Sequence, residues 1–192
     1  MPGSLEWARP ARWSDLRTLR SLWDRADAEI GVGRGGERLV GAIPRPPELD
    51  APPRQGSDEV LPAGGDRLLV VGGIDEVVLG FVAAGIDRSQ PAPVALLHVA
   101  FVEQEARGVG IGEAMVELVL AWAERSGCAG VDAYALPGSR VAKAFFEDHG
   151  FVARLLTMYR RLPVPSPAPA PPPVGGPPPA GGPPPSGGPG GD

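Results

Sequence analysis

Nine consecutive residues, Val94–Val102, are apolar except for His98. Such a run reads as a strand buried on both faces, because a half-solvated strand would alternate apolar and polar side chains. It is followed closely by Arg107-Gly108-Val109-Gly110-Ile111-Gly112. Beyond the glycines, Ile111, Met115, Leu118, Val119 and Trp122 recur at helical spacing, which predicts an amphipathic helix from about Gly112 to Ser126 with Gly127 as its stop. A buried strand, a glycine turn and an amphipathic helix in direct succession require a sheet with a helix packed on it.

The flanking pattern extends this unit. Ser4–Ala8 reads as a first strand. Ser14 stands where a helix cap is needed, before Leu16, Leu19, Leu22, Trp23 and Ala26 at helical spacing. Residues 31–66 carry Gly and Pro throughout, without a sustained period, and read as a long loop with room for one short helix. Leu68–Ile74 and Val77–Ile86 form a hairpin. Val131–Leu136 is a further strand, Ser139–His149 a short helix ended by Gly150, and Val152–Leu162 a closing strand. The order predicts an α+β fold: a mixed sheet with helices on both faces.

Composition sets the outer limits. Of 192 residues 43 % are hydrophobic, enough for one ordinary core. The formal charge of -5 offers no broad basic surface, so no nucleic-acid partner is expected. The single cysteine, Cys128, excludes an internal disulfide framework. No apolar stretch approaches the roughly 20 residues of a membrane helix, and Met1 is not followed by a leader pattern. The expectation is a cytoplasmic protein without a membrane partner. One lysine against seventeen arginines, with abundant Ala, Gly and Pro, suggests a GC-rich, bacterial genome. Residues 163–192 hold 14 Pro and 8 Gly, with PPPxGG three times, at 171–176, 177–182 and 183–188. Few of these side chains could be buried, so a disordered tail is expected after a domain spanning 1–162. Arg160-Arg161-Leu162-Pro163-Val164-Pro165 fits a ligand pattern for proline-groove domains, so a proline-binding domain is a candidate partner of the tail.

The chemistry concentrates in the glycine turn. Glycines let backbone amides approach an anion, the following helix adds the positive end of its dipole, and Arg107 is a charged donor. A Walker loop fails, since Glu113 stands where Lys is required. A dinucleotide fingerprint needs G-x-G-x-x-G, whereas this stretch reads G-x-G-x-G, although Asp132 lies at a suitable distance for a ribose ligand. The acetyltransferase pyrophosphate loop, R/Q-x-x-G-x-G/A, is matched at every specified position by Arg107, Gly110 and Gly112.

A second motif stands downstream, Ser139-x-x-Ala142-x-x-Phe145-Phe146-x-x-x-Gly150-Phe151. With Val102 five residues before Arg107, the two motifs in this order resemble the GCN5-related N-acetyltransferase (GNAT) family over about Leu68 to Leu162. The resemblance implies a mostly antiparallel sheet splayed at its centre, between the strand ending at Val102 and the strand beginning at Val131. It implies acetyl-CoA as cosubstrate and no metal. The pantetheine arm would contact the backbone of Ala100, Phe101 and Val102, and the pyrophosphate the amides of Gly108, Val109, Gly110, Ile111 and Gly112. The acceptor would be an amine of a small molecule or protein, binding near the first helix, where Trp13, Trp23, Asp24 and Asp27 lie, and near the 31–66 loop. A homodimer is a further expectation.

Two positions depart from the family. Ser139 replaces the Asn that often bonds the coenzyme arm, and Phe146 replaces the tyrosine thought to protonate the leaving thiolate. Phenylalanine has no proton to give, which keeps open a non-catalytic acetyl-CoA-binding module. Tyr134 is the substitute candidate acid, and a thiolate leaving unaided is the other route. A base is needed for an amine that arrives protonated. His98 is the first candidate, since histidine titrates near neutrality and the arylalkylamine branch of the family has a histidine at the matching place. By strand alternation its side chain should share a face with Ala100 and Val102. Glu103 is the second candidate. His149, at a helix end, reads as structural.

Overall fold

A computed structural model of the chain describes residues 6–52, 58–61, 65–89 and 91–162. The elements are β1 (Glu6–Pro10), α1 (Leu16–Gly31), α2 (Gly36–Ala42), β2 (Arg67–Ile74), β3 (Val77–Asp87), β4 (Val94–Val102), α3 (Ile111–Arg125), β5 (Gly130–Ala133) and α4 (Arg140–Asp148). The strands form one sheet in the order β1-β2-β3-β4-β5. Neighbours are antiparallel except β4 and β5, which run parallel. This is the mixed α+β, mostly antiparallel sheet that the pattern predicts.

Each face of the sheet carries its own core. On one, Leu16, Leu19, Leu22, Trp23 and Ala26 of α1 pack against Val71, Phe81, Ala83, Val99 and Phe101. Trp23 stacks on Phe81 with ring centroids 5.2 Å apart. On the other, Ile111, Met115, Val116 and Val119 of α3 pack against Val70, Val82, Ala84 and Leu97, joined by Phe146 of α4. The strands therefore lose both faces to water, which is why β3 and β4 read as apolar runs. The β2–β3 hairpin turns at Asp75-Glu76, with Asp75 at φ 51°, a conformation that aspartate tolerates better than most side chains.

The 31–66 segment, described at 31–52, 58–61 and 65–66, holds the short helix its sequence leaves room for. It contains α2 and a short 3₁₀ turn, Pro47–Asp50. Ile43, Leu49 and Leu61 are buried in the α1-side core, and Arg20 of α1 donates to the carbonyls of Leu49 and Ala51. Gly and Pro here shape a layer that covers the sheet.

Four local expectations are corrected. Ser14 caps nothing: it lies inside a 3₁₀ turn, Trp13–Asp15. The neighbouring Asp15 is buried and takes two bonds from Arg9, at 2.6 and 2.9 Å, and one from the Arg12 amide at 2.8 Å. A carboxylate outcompetes a hydroxyl for three donors because the bonds are charge-assisted. Trp13 and Trp23, expected near the acceptor, belong to the core. β5 ends at Ala133, short of Leu136. Finally, residues 152–162 form no strand, and Val152, Leu155, Leu156, Met158 and Tyr159 are exposed. A strand exists only through a hydrogen-bonded ladder, and among the described residues this segment makes none. The chain divides into two units, Met1–Arg154 and Leu155–Asp192. The tail, from residue 163 onward, lies outside the described residues, as do Ser4 and Leu5 of the expected first strand. Among the described residues no helix is long and apolar enough to cross a membrane.

The Asp15 knot joins β1 to α1, so its loss should register in stability. Asp15→Ala is expected to cost about 2 kcal/mol, since the remaining Arg9 stays partly solvated. The measurement is the urea midpoint at unchanged m-value.

Candidate active site

β4 and β5 pair only over Val94↔Gly130 to Leu97↔Ala133. Beyond Leu97, β4 continues to Val102 with β3 as its partner, and no ladder joins it to β5. The sheet opens between these strands from His98 onward. Backbone polar groups on that open edge of β4 need another partner. Past β5 the chain leads away, and the Leu136 side chain lies beside Gly33, in the turn between α1 and α2.

The open edge runs directly into the glycine turn. Gly108 and Gly110 have φ of 77° and 101°, the left-handed region that other residues avoid. Gly110 is the N-cap of α3 and no side chain caps that helix. The amides of Gly108, Val109 and Gly110 donate to no backbone carbonyl among the described residues. The first turn of α3 adds its own leading amides, which have no intrahelical acceptor. The result is a cluster of unsatisfied donors at the positive end of a 15-residue helix. Val109 is 44 % exposed, whereas the Ile111 side chain is buried in the core. Whatever Ile111 gives a ligand must come from its amide. Glu6 of β1 lies beside Gly110, where a β-carbon would sit 3.1 Å from its Oε1.

Arg107 is not free. Its Nε donates to the Val102 carbonyl at 2.8 Å, and its Nη2 to both carboxylate oxygens of Glu29, at 2.9 and 2.7 Å. Nearby, Glu103 pairs with Arg25 of α1. Glu103, the second candidate base, is thus committed to an ion pair with α1.

His98 is where the structure departs most from simple alternation. Ala83 pairs with Val99 and Ala84 with Leu97, so His98 is the unpaired residue of a β-bulge. The bulge turns its side chain to the α1 face, with Val99 and Ala83, and away from the face of Val102. This corrects the expectation that it shares a face with Ala100 and Val102. There the imidazole lines a cavity of about 180 Å³ with Pro44, Pro46, Leu61, Leu69 and Ala83. The charged groups around it are Glu48, paired with Arg67 at 2.8 Å, and Arg45, paired with Asp24 and Asp50. Burial pushes the His98 pKa down, because the imidazolium loses hydration there. The neutral form is thus favoured. Asp27 of α1 is shifted upward, first by burial.

The remaining candidates are spread out. Tyr134 lies one residue past β5 and is 49 % exposed. Ser139 is the N-cap of α4 with no side-chain cap bond, and its carbonyl accepts from the Lys143 amide. Phe146 is buried against Phe145 and Phe151, with centroids 5.4 and 5.2 Å away. Phe145 also abuts Gly112, so α4 packs beside the glycine turn. The His149 Nδ1 is 2.7 Å from the Phe145 carbonyl, a structural contact. Asp132 pairs with Arg154, and the mostly antiparallel sheet leaves no doubly wound frame for a dinucleotide fingerprint.

Two residues at this site escaped the sequence. Glu29 is 78 positions from Arg107 and gave no local signal. Gly85 gave one, as a glycine inside a strand often marks a close approach. A β-carbon there would stand 2.8 Å from the His98 Nε2. Gly85→Ala is therefore expected to displace the imidazole while leaving the sheet intact. Resonances of the His98 ring in a histidine-observed NMR titration should shift, and an unmoved ring would contradict this seat.

The acetyltransferase (GNAT) family matches residues 42–151. No curated protein sequence matches the chain. Among solved structures, aminoglycoside N-acetyltransferase AAC(6')-Iy in complex with CoA superposes with a TM-score of 0.57 at 18 % identity, over 84 % of this chain and 98 % of that one. Aminoglycoside 6'-N-acetyltransferase AAC(6')-Ih from Acinetobacter baumannii gives 0.56 at 19 % identity, over 83 % and 99 %. Glucosamine-6-phosphate N-acetyltransferase from Arabidopsis thaliana gives 0.54 at 16 %, over 82 % and 99 %. At these identities the likeness is one of fold. With more than half of the chain matched by the family and the fold shared with its solved structures, this chain belongs to the GNAT acetyltransferase family.

Proposed function

We propose that the protein transfers an acetyl group from acetyl-CoA to a primary amine of a small molecule or protein, by direct attack in a ternary complex. The observation that carries this reading is the run of unsatisfied amides at Gly108–Gly112, set where β4 leaves the opened sheet. It suits a pyrophosphate on one side and an extended arm along the free edge of Ala100, Phe101 and Val102 on the other. The CoA held by AAC(6')-Iy on this fold supports the same choice. Acetyl-CoA supplies an acyl carbon on a leaving thiolate; the protein's part is to hold it beside the amine.

The base we assign is His98. It sits at the vertex of the opening, one residue beyond the last β4–β5 pair. It faces the cavity that residues of the 31–66 segment close, which we take as the acceptor site. An ammonium entering there loses a proton to neutral His98, the freed lone pair forms the N–C bond as the C–S bond breaks, and the acylated nitrogen sheds its second proton to water. The electron pair goes to sulfur. Phe146 cannot protonate it, so the proton comes from water or from Tyr134. The cavity suits a compact amine. Ser139 lies at the start of α4 as a secondary contact for the arm. The transferase domain is placed within residues 1–162, and the Pro/Gly tail is read as an appendage. Phe146, buried among aromatics, also supports a second reading, a binding module without turnover.

Acetyl-CoA is expected to raise the melting temperature of the wild type and not of Gly110→Asp, whose new carboxylate would meet both the cradle and Glu6. Thermal shift measures this, with NAD as the control ligand. A panel of amines read by thiol release separates enzyme from module: binding without amine-dependent release would leave only the module.

His98→Gln is expected to lower kcat about 10²-fold. Because burial lowers the imidazole pKa, wild-type kcat should hold down to pH values below the ordinary histidine range near 6.5 and fall at lower pH as His98 protonates. In His98→Gln that acid limb should vanish. A limb of unchanged position in the variant would remove His98 from the mechanism.

A further inference from the structure

Glu29 belongs to neither motif, yet it holds the first residue of the glycine loop. It lies in the last turns of α1 and binds Arg107 Nη2 through both carboxylate oxygens. The same guanidinium is fixed by the Val102 carbonyl and lies 5.7 Å from the centre of the Phe101 ring. One helical turn earlier on α1, Arg25 pairs with Glu103. Arg25 and Glu29 are four residues apart and so stand on one face of the helix. Glu103 and Arg107 are likewise four apart, on the segment that leaves β4. The signs run cation then anion on α1, and anion then cation opposite. Slipping either segment by one pair would set like charges together.

We propose that Glu29 is a positioning residue for the cofactor loop. Through Arg107 it clamps the start of the loop to α1 and so holds the amides of Gly108–Gly112 in their anion-binding arrangement. This inference rests on the reading of that loop as the pyrophosphate site. It also gives Arg107 a role other than that of a phosphate ligand. Its guanidinium is neutralised by Glu29 and held by the Val102 carbonyl, which commits Nε and Nη2 and leaves only Nη1 to turn toward an anion. The amides and the helix dipole then carry most of the anion's binding. Both partners are substantially solvated, 38 % for Arg107 and 51 % for Glu29, so the clamp acts on the order of the loop more than on global stability.

The test uses the full chain. In the ligand-free protein, Glu29→Ala is expected to accelerate hydrogen exchange several-fold at the bonded amides that flank the loop, those of Ala106, Arg107 and Ala114, with the β2–β3 amides as an unchanged internal control. Acetyl-CoA binding by calorimetry should weaken about three- to fivefold. Turnover of acetyl-pantetheine, which lacks the pyrophosphate, should stay at the wild-type value, whereas a variant damaged in its fold would lose both. The reversed pair, Glu29→Arg with Arg107→Glu, should recover most of the acetyl-CoA affinity that Arg107→Glu alone loses. Tighter binding in Glu29→Ala, or a reversed pair as weak as Arg107→Glu, overturns the proposal and makes Arg107 the phosphate ligand. Unchanged exchange at those flanking amides also overturns it. If exchange accelerates but even the wild type binds no acetyl-CoA, the clamp stands and the acetyl-CoA reading falls.

Discussion

The parting of β4 from β5 after Leu97 is the constraint on which the site depends. A parallel pair is joined through evenly spaced slanted bonds, and ending it midway leaves a row of backbone groups on β4 that still need partners. The opening is kept from collapsing by what surrounds it. Phe101 and Val99 anchor β4 in the α1-side core, while Leu97 anchors it in the core under α3. The strand is thus fixed on both faces and on its β3 edge, and only its β5 edge is free. The bulge falls at the same point, so the residue that breaks the pleat, His98, is also the first beyond the ladder.

Charge is arranged around this opening at two depths. The buried knot of Asp15 with Arg9 and the Arg12 amide ties the first strand to the first helix. The pairs of α1 with Glu103 and Arg107 are more exposed and lie at the mouth of the glycine loop. A buried carboxylate that lost its donors would cost several times what an exposed pair contributes. The inner network therefore bears on folding and the outer one on the geometry of a loop. His98 stands apart from both, with burial alone moving its pKa.

Much of this was legible in the residues. β4 has the ends its sequence marks, with Pro93 and Glu103 bounding the apolar run. The glycine loop and α3 followed from the switch to helical spacing after Gly112. The turn at Asp75-Glu76 was likewise marked by its chemistry. The failures share a cause, which is that hydrogen bonding between distant segments was at stake. Residues 152–162 have the composition of a strand but form none. β5 stops at Ala133 although Tyr134 and Leu136 would suit a strand, because β4 is no longer alongside. Ser14 is a good cap by type, but Asp15 had better donors in Arg9 and Arg12.

The sequence by itself determined the family-bearing features: the strand, the glycine turn, the helix that begins on it and the absence of a hydroxyl at Phe146. These are local properties, set by side-chain size, backbone freedom and periodicity, and they survive without knowledge of the rest of the chain. Only the tertiary structure decided which face His98 serves, what holds Arg107 and where the sheet opens. Each of those depends on register and on contacts between residues far apart in the chain. A single unpaired residue in β4 reversed the direction of the candidate base, and no count along the sequence records where a ladder slips by one.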